Sequence, residues 1–296
     1  MLHLDEAAVR AVLRWETLIP AMETALAAFS SGQVLQPVRT MLAIEEEQRY
    51  LGVMPAVTTD AVGLKAVSFY PRNAGSDLPT HMATVLLFSR ETGEPLAVID
   101  GRLITEMRTA AVSAAVTERL APPDSRVLAI LGSGVQADAH LAALRRVRAF
   151  DEVRVWSRTP AHARRFADRH GVTATDAESA VRGADVIVTA TSSPVPVLKG
   201  AWLKDGAHVN AIGAPRPTWR ELDDEAMANV VIVDSREAVA QESGDVILSN
   251  ASIYAEAGEI FSGAKPSPAS QTTVFKSVGI AVEDVAAAKL VFDAAR

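Results

Sequence analysis

The sequence predicts an α/β protein in two parts, an α+β layer built on a mainly antiparallel sheet and then a doubly wound parallel sheet. Three observations carry this. Strand-like segments follow one another without intervening helices in the first third, two adjacent prolines break the chain after residue 120, and strand and helix patterns alternate beyond the break. At 296 residues the chain is long enough for two cores of ordinary size.

In the first part, Asp5 is placed to cap a helix carrying Ala8, Val9, Val12 and Leu13. A second helical pattern carries Leu18, Met22, Ala25, Leu26 and Phe29 and ends near Ser31-Gly32. Strand-like runs then cover 38–44, 50–57, 62–70, 83–88 and 96–99, with turn signals at Arg72-Asn73-Ala74-Gly75 and Glu91-Thr92-Gly93-Glu94. A helix over 104–120 closes this part. In Ala121-Pro122-Pro123-Asp124-Ser125 two fixed φ angles stop the helix and stiffen the connection, which sets the first domain at 1–120.

Beyond it, Arg126-Val127-Leu128-Ala129-Ile130-Leu131 is the continuous apolar run of a strand buried on both faces. A helix over 135–148, a strand over 153–156, a helix over 160–170 and strands over 186–190, 208–212 and 230–233 complete the alternation expected of the second domain, 121–277. Gly263-Ala264-Lys265-Pro266-Ser267-Pro268 reads as a linker. The final helix, within 278–296, is expected to pack back on the first domain.

Composition narrows the chemistry. There is no cysteine, which removes disulfides, thiolate ligands and thiol nucleophiles. The net charge of −7 and the lack of a basic run argue against nucleic acid as a partner. The six histidines form no metal-binding pattern such as H-E-x-x-H, so no metal is expected. No basic n-region opens the chain and no apolar run is long enough to span a bilayer, so a cytoplasmic protein without a membrane partner is expected. A mean hydropathy of +0.14 leans towards an oligomer.

Gly132-Ser133-Gly134-Val135-Gln136-Ala137 fits G-x-G-x-x-A between a strand and a helix, the fingerprint of a Rossmann dinucleotide site. Gly132 makes the tight turn, Gly134 admits the pyrophosphate, and Ala137 lets helix and strand approach. Where an NAD-selective domain carries an acid for the ribose, this chain reads Trp156-Ser157-Arg158-Thr159-Pro160. A guanidinium there suits a 2′-phosphate, so NADP(H) is expected in preference to NAD(H). Thr159 and Pro160 read as N-cap and first residue of the next helix.

In the first part Arg39 and Lys65 stand inside apolar strand-like runs, and an arginine fork plus an ammonium suits an α-carboxylate. Arg108-Thr109 is read as opening the helix towards the second domain, within reach of a phosphate or a carboxylate. Glu242 and Asp245 read equally as pocket groups or solvated helix residues. His81 is a candidate acid–base, although a lone histidine is more often structural.

These residues resemble the ornithine cyclodeaminase/μ-crystallin family along essentially the whole chain. The resemblance rests on Pro37-Val38-Arg39-Thr40, Tyr50-Leu51-Gly52-Val53-Met54-Pro55, Arg108-Thr109-Ala110-Ala111, Gly132 to Ala137, Asn210-Ala211-Ile212-Gly213-Ala214, Glu242-Ser243-Gly244-Asp245 and Thr273-Val274-Phe275-Lys276-Ser277. Arg216-Pro217 and the run from Trp219 to Asp224 are similar to the μ-crystallin, ketimine reductase, branch.

The resemblance implies that Arg39 and Lys65 hold the substrate carboxylate and that Thr80 and Arg108 are cofactor and active-site contacts. It also implies that Val135 and Gln136 lie at the pyrophosphate, and that Ser157, Arg158 and Thr159 surround the adenosine ribose. Thr191, Ile212 and Ser277 would line the nicotinamide side with Val278 nearby, and the chain would form a homodimer through its first domain. One departure bears on function: ornithine cyclodeaminases carry an aspartate where this chain has Pro215, which moves no proton.

The expected activity is therefore reduction of the C=N bond of a small cyclic ketimine carboxylate, of the Δ1-piperideine-2-carboxylate or Δ1-pyrroline-2-carboxylate type. In it Lys65 is the catalytic residue or a binding residue. The rivals are an alanine-type amino-acid dehydrogenase, an ornithine cyclodeaminase, disfavoured by Pro215, and a protein that only holds dinucleotide or ligand.

Overall fold

A computed structural model describes residues 1–45, 49–73 and 75–296. Ala74, in the turn expected at Arg72-Asn73-Ala74-Gly75, lies outside the described residues. The chain forms two compact units, Met1–Arg108 with Gly279–Arg296, and Thr109–Val278.

The first unit runs β1 (Leu2–Leu4), α1 (Glu6–Val12), α2 (Trp15–Ser30), β2 (Thr40–Glu45), β3 (Arg49–Val57), β4 (Val62–Phe69), β5 (His81–Phe88) and β6 (Pro95–Asp100), then enters α3 (Gly101–Leu120). Asp5 caps α1, its carboxylate accepting from the Ala8 amide at 2.8 Å. The sheet order is β1-β6-β5-β4-β3-β2. All neighbours are antiparallel except β1, which pairs parallel with β6. Three residues were too few for β1 to register as a period in the sequence.

Register decides what the sheet buries. Lys65 lies opposite Met54 on one side and Val85 on the other. With Ala56, Gly63 and Leu87 these residues form one buried face, against which the C-terminal helix Ala281–Ala294 packs, with α2 packed on that helix. Gly63 permits the approach, since a Cβ there would lie 2.6 Å from Val285. Val285, Val291 and Phe292 are buried from the helix side, each contributing about 1.5–3 kcal/mol of hydrophobic stabilisation.

Two expectations in this unit are corrected. Arg39 precedes its strand rather than lying inside it: pairing with β3 starts at Thr40, and the Arg39 guanidinium donates to the Gly279 carbonyl at 2.9 Å. Helix α3 begins at Gly101, where Asp100 accepts from the Arg102 amide at 3.0 Å. Arg108 therefore sits in mid-helix, its amide already committed to the helical ladder, and any ligand contact falls to its guanidinium. The boundary between the units falls within α3, whereas Pro122 and Pro123 mark the end of that helix.

The second unit continues with β7 (Val127–Leu131), α4 (Val135–Val147), β8 (Glu152–Trp156), α5 (Pro160–His170), β9 (Thr173–Ala174), α6 (Ala177–Val181), β10 (Val186–Thr189), β11 (His208–Ala211) and α7 (Asp224–Met227). Then come β12 (Val230–Val233), α8 (Arg236–Glu242), α9 (Gly244–Ser249), β13 (Ile253–Glu256), α10 (Ala257–Phe261) and β14 (Thr273–Lys276), and the C-terminal helix is α11. The sheet is wholly parallel, in the order β13-β12-β14-β11-β10-β7-β8-β9.

Strand β14 was not anticipated. It inserts between β11 and β12 although it comes last in the sequence. Chain direction across the sheet reverses at β7 and β10, the switch point at which such sheets bind ligands beyond the strands' carboxyl ends. Among the described residues no helix is long and apolar enough to cross a membrane.

Candidate active site

The first unit holds a buried ionic cluster. Lys65, 2% exposed, is forced into the interior by the register of β4, and its Nζ lies 2.6 Å from Asp284 Oδ2. Arg108, 5% exposed, donates its Nε to Asp284 Oδ1 at 3.0 Å and its Nη1 to Glu283 Oε2. Both acids lie in the first turn of α11 and are fully buried. Gly279 supports the arrangement: at φ +77° it brings backbone against the Arg108 guanidinium, and a Cβ there would fall 2.7 Å from two of its nitrogens.

Burial lowers the Lys65 ammonium to about 8, against the pull of Asp284 and with help from Arg108 and Arg39. Burial pushes the Asp284 carboxyl up, but Arg108 and Lys65 outweigh it and hold the group below its ordinary value. Lys65 and Arg108 thus share two buried carboxylates, and Arg39 adds its positive field at Lys65. An ammonium and guanidinium donors held together in a dry interior suit a small carboxylate ligand.

His81 shares the sheet face of Lys65, its ring centroid 4.4 Å from that of Phe69. The hydroxyl of the neighbouring Thr80 lies within hydrogen-bond distance of His81 Nδ1, at 3.3 Å.

The second unit holds the glycine turn. Gly132 follows β7 at φ +130°, and a Cβ there would lie 2.5 Å from the Ala190 carbonyl, so only glycine fits. Gly134 caps α4 with no side chain bound to the first turn and with open space where its Cβ would stand. Val135, half-exposed, and Gln136 follow in that first turn. Amides at the start of a 13-residue helix whose N-cap is a glycine with room above it fit a pyrophosphate.

Behind the turn, His140 is fully buried between the Gln136 carbonyl at 2.7 Å and the Ser113 hydroxyl at 2.9 Å. Ser157, Arg158 and Thr159 follow β8; Thr159 is the N-cap of α5 and Pro160 its first residue, as the sequence suggested.

The remaining expected residues of this unit cluster at the carboxyl ends of β10, β11 and β14. The Thr191 amide donates to Glu221 Oε1 at 2.6 Å, and the Ile212 amide to the Thr189 carbonyl at 2.9 Å. The Ser277 hydroxyl and the Val278 amide both donate to Asp234 Oδ2 at 2.8 Å. Thr109 is buried in α3 of this unit.

Asp245 is neither a pocket group nor a solvated one. It is fully buried and 2.9 Å from Lys276 Nζ. Asp284, Glu283, Glu221, Lys276 and Asp234 were not singled out in the sequence. The one signal was a pair of adjacent acids, Glu283-Asp284, flanked by Val282 and Val285, and acids in a first helical turn have an ordinary explanation in the helix dipole. Among the described residues no group of three or more His, Asp or Glu side chains is arranged to hold a metal ion.

The chain is 52% identical over 285 residues to ketimine reductase mu-crystallin of Mus musculus, covering 93% of this chain and 91% of the relative. The structure of Thermococcus litoralis Delta(1)-pyrroline-2-carboxylate reductase in complex with NADH and L-proline superposes with a TM-score of 0.93. It is 34% identical, over 100% of this chain and 97% of that one. An archaeal alanine dehydrogenase dimer with bound NAD superposes with a TM-score of 0.93, at 35% identity over 100% and 96% of the two chains.

These structures overturn the expected preference for NADP(H), since the dinucleotides held by such relatives are NADH and NAD. The physical reason lies at Arg158, which is exposed. The missing acid removes a repulsion from a 2′-phosphate without creating a demand for one, and a solvated guanidinium also stacks on an adenine face. The matching family model spans residues 2–296, and the chain belongs to the ornithine cyclodeaminase/mu-crystallin family.

Proposed function

We propose that the protein reduces the C=N bond of a small cyclic ketimine carboxylate, of the Δ1-pyrroline-2-carboxylate or Δ1-piperideine-2-carboxylate type, to the cyclic amino acid with NADH. The observation that carries this is the buried cluster of Lys65 and Arg108 on Asp284 and Glu283. It keeps a titratable ammonium beside guanidinium donors in a chain that also builds a dinucleotide turn. The names of its relatives support the same substrate class.

Bound NADH supplies the hydride, delivered to the imine carbon. Arg39, anchored on the Gly279 carbonyl, binds the substrate carboxylate with Lys65, and Arg108 adds to the field that draws it in. Fixing the carboxylate fixes the imine carbon at the near-attack distance of about 3–3.5 Å that hydride transfer needs. The imine nitrogen gains a proton as the carbon gains the hydride. Lys65, near 8, is poised to hold that proton at the nitrogen around neutral pH.

In the second unit Gly132, Gly134, Val135 and Gln136 take the pyrophosphate. Ser157, Arg158 and Thr159 take the adenosine ribose, and Thr191, Ile212 and Ser277 the nicotinamide side. Pro215, exposed after Ala214, offers no acid for ring closure and speaks against cyclodeamination.

The unit carrying Lys65 is the substrate-binding and dimerisation domain. The sheet face opposite Lys65 presents Val53, Pro55, Leu64 and Leu86 half-exposed, an apolar surface suited to a second copy of the chain. A cytoplasmic setting, where NADH is available, suits this chemistry.

NADH oxidation followed by absorbance, with both cyclic imines and with pyruvate plus ammonia, tests the proposal. Turnover of an imine that is lost in Lys65→Met supports it. Ammonia-dependent turnover of pyruvate alone would replace it with the alanine-dehydrogenase reading, which the second superposed structure favours.

A further inference from the structure

We propose that Glu221, Lys276 and Asp245 form a buried positioning network that shapes the loops after β10, β11 and β14 to receive the nicotinamide half of the dinucleotide. The proposal rests on the reading of the chain as an NADH-dependent reductase.

Glu221 is fully buried, and its carboxylate accepts from the Thr189 hydroxyl at 2.8 Å, the Thr191 amide at 2.6 Å and the Gly213 amide at 2.8 Å. One side chain thus ties the loop leaving β10 to the loop leaving β11. Asp245 Oδ1 accepts from the Glu221 and Leu222 amides at 2.7 and 2.9 Å, fixing the segment that delivers Glu221. Lys276, the last residue of β14, reaches Asp245 Oδ2 at 2.9 Å and donates to the Gly213 carbonyl at 2.6 Å.

Gly213 is therefore gripped at both its amide and its carbonyl. A Cβ on it would lie 2.1 Å from the Thr191 carbonyl, so the two loops meet backbone to backbone. The next residue, Ala214, is held at φ +51°, a left-handed conformation that alanine adopts only under such constraint.

Two carboxylates and an ammonium in a dry interior are a poor way to gain stability, because desolvation offsets most of their attraction. Their location explains them better: they sit under the carboxyl ends of strands on the far side of the switch point from β8 and β9, where the second half of a dinucleotide lies in doubly wound sheets. None of the three reaches solvent, and each is bonded to protein groups of the loops and strand ends, so they are positioning residues. They act through Thr191, Gly213 with its neighbour Ile212, and Ser277, which follows Lys276. They also account for three motifs far apart in sequence, Asn210 to Ala214, Glu242 to Asp245 and Thr273 to Ser277, as parts of one device.

The test compares binding of NADH with binding of ADP-ribose, which carries adenosine and pyrophosphate but no nicotinamide. Both are measured by calorimetry on wild type, Glu221→Gln, Asp245→Asn and Thr189→Val. Glu221→Gln sets an amide NH2 against a backbone donor, and its NADH Kd is expected to rise about tenfold or more. ADP-ribose should stay within about twofold, because the glycine turn is untouched. Thr189→Val removes a single donor to Glu221 and should show a smaller shift of the same kind, in a protein whose fold circular dichroism confirms.

Equal loss of both ligands in the folded variants would reduce the network to a general structural role and overturn the proposal, as would unchanged NADH binding. Failure of the wild type to bind NADH would instead overturn the dinucleotide reading on which the proposal rests.

Discussion

Replacing Asp284 by asparagine removes the charge that holds Lys65 while keeping the shape of the side chain. Lys65 stands near 8, with burial working against its charge and Asp284, 2.6 Å away, working for it. Loss of a partner at that range typically lowers an ammonium by 1–3 units, so the variant's Lys65 is expected at about 6.

If the protonated ammonium is needed at the imine nitrogen, activity falls on the alkaline side as pH passes the pKa. At about pH 8 roughly half of the wild type is protonated against about 1% of the variant, an expected loss of about 50-fold; at about pH 6 the difference shrinks to about twofold. The assay is the initial rate of NADH oxidation at saturating imine across this range. The substrate's own titration cancels because both proteins see the same imine. Arg108 keeps Glu283 as a partner, and His81 and Arg39 are unchanged, so the shift reports on Asp284. An alkaline limb that stays in place, or a loss uniform in pH, would refute Lys65 as the proton-holding group.

Gly132→Ala should abolish NADH binding in a fluorescence titration and cost about 1–3 kcal/mol of stability in thermal melts, since its Cβ meets the Ala190 carbonyl at φ +130°. Gly279→Ala should raise the imine KM more than it lowers kcat, by pushing the Arg108 guanidinium off its carboxylates.

Acid should unfold the second unit through its buried histidines. Burial depresses His140 to about 4 and His208 to about 3. From about pH 6.5 downwards the unfolded chain therefore takes up protons that the folded chain refuses, and stability falls as pH falls. Each histidine costs about 2 kcal/mol by about pH 5, to be read from urea midpoints there and at about pH 7.

Local chemistry was legible in the sequence. The cap at Asp5, the proline break, the strand–turn–helix around Gly132 and the start of α5 at Thr159-Pro160 each depend on residues within a few positions of one another, and each appears in the structure. Lys65 stood out because an ammonium in an apolar run is anomalous whatever its partner.

What only the tertiary structure decided is who meets whom. Arg39 and Lys65 read as a pair of strand residues. In the folded chain Lys65 answers to Asp284, more than 200 residues later, and Arg39 turns to Gly279 from outside its strand. The insertion of β14 between β11 and β12 brings Lys276 to Asp245, and no periodicity announces a strand's neighbour. The cofactor's form was likewise misjudged from Arg158, because a single exposed side chain does not determine which ribose it faces. Periodicity and capping are short-range steric and hydrogen-bonding constraints, written residue by residue. Charge pairing in a dry core depends on distances that exist only once strands have found their register, and there burial and field together set whether a lysine is a surface ornament or an acid.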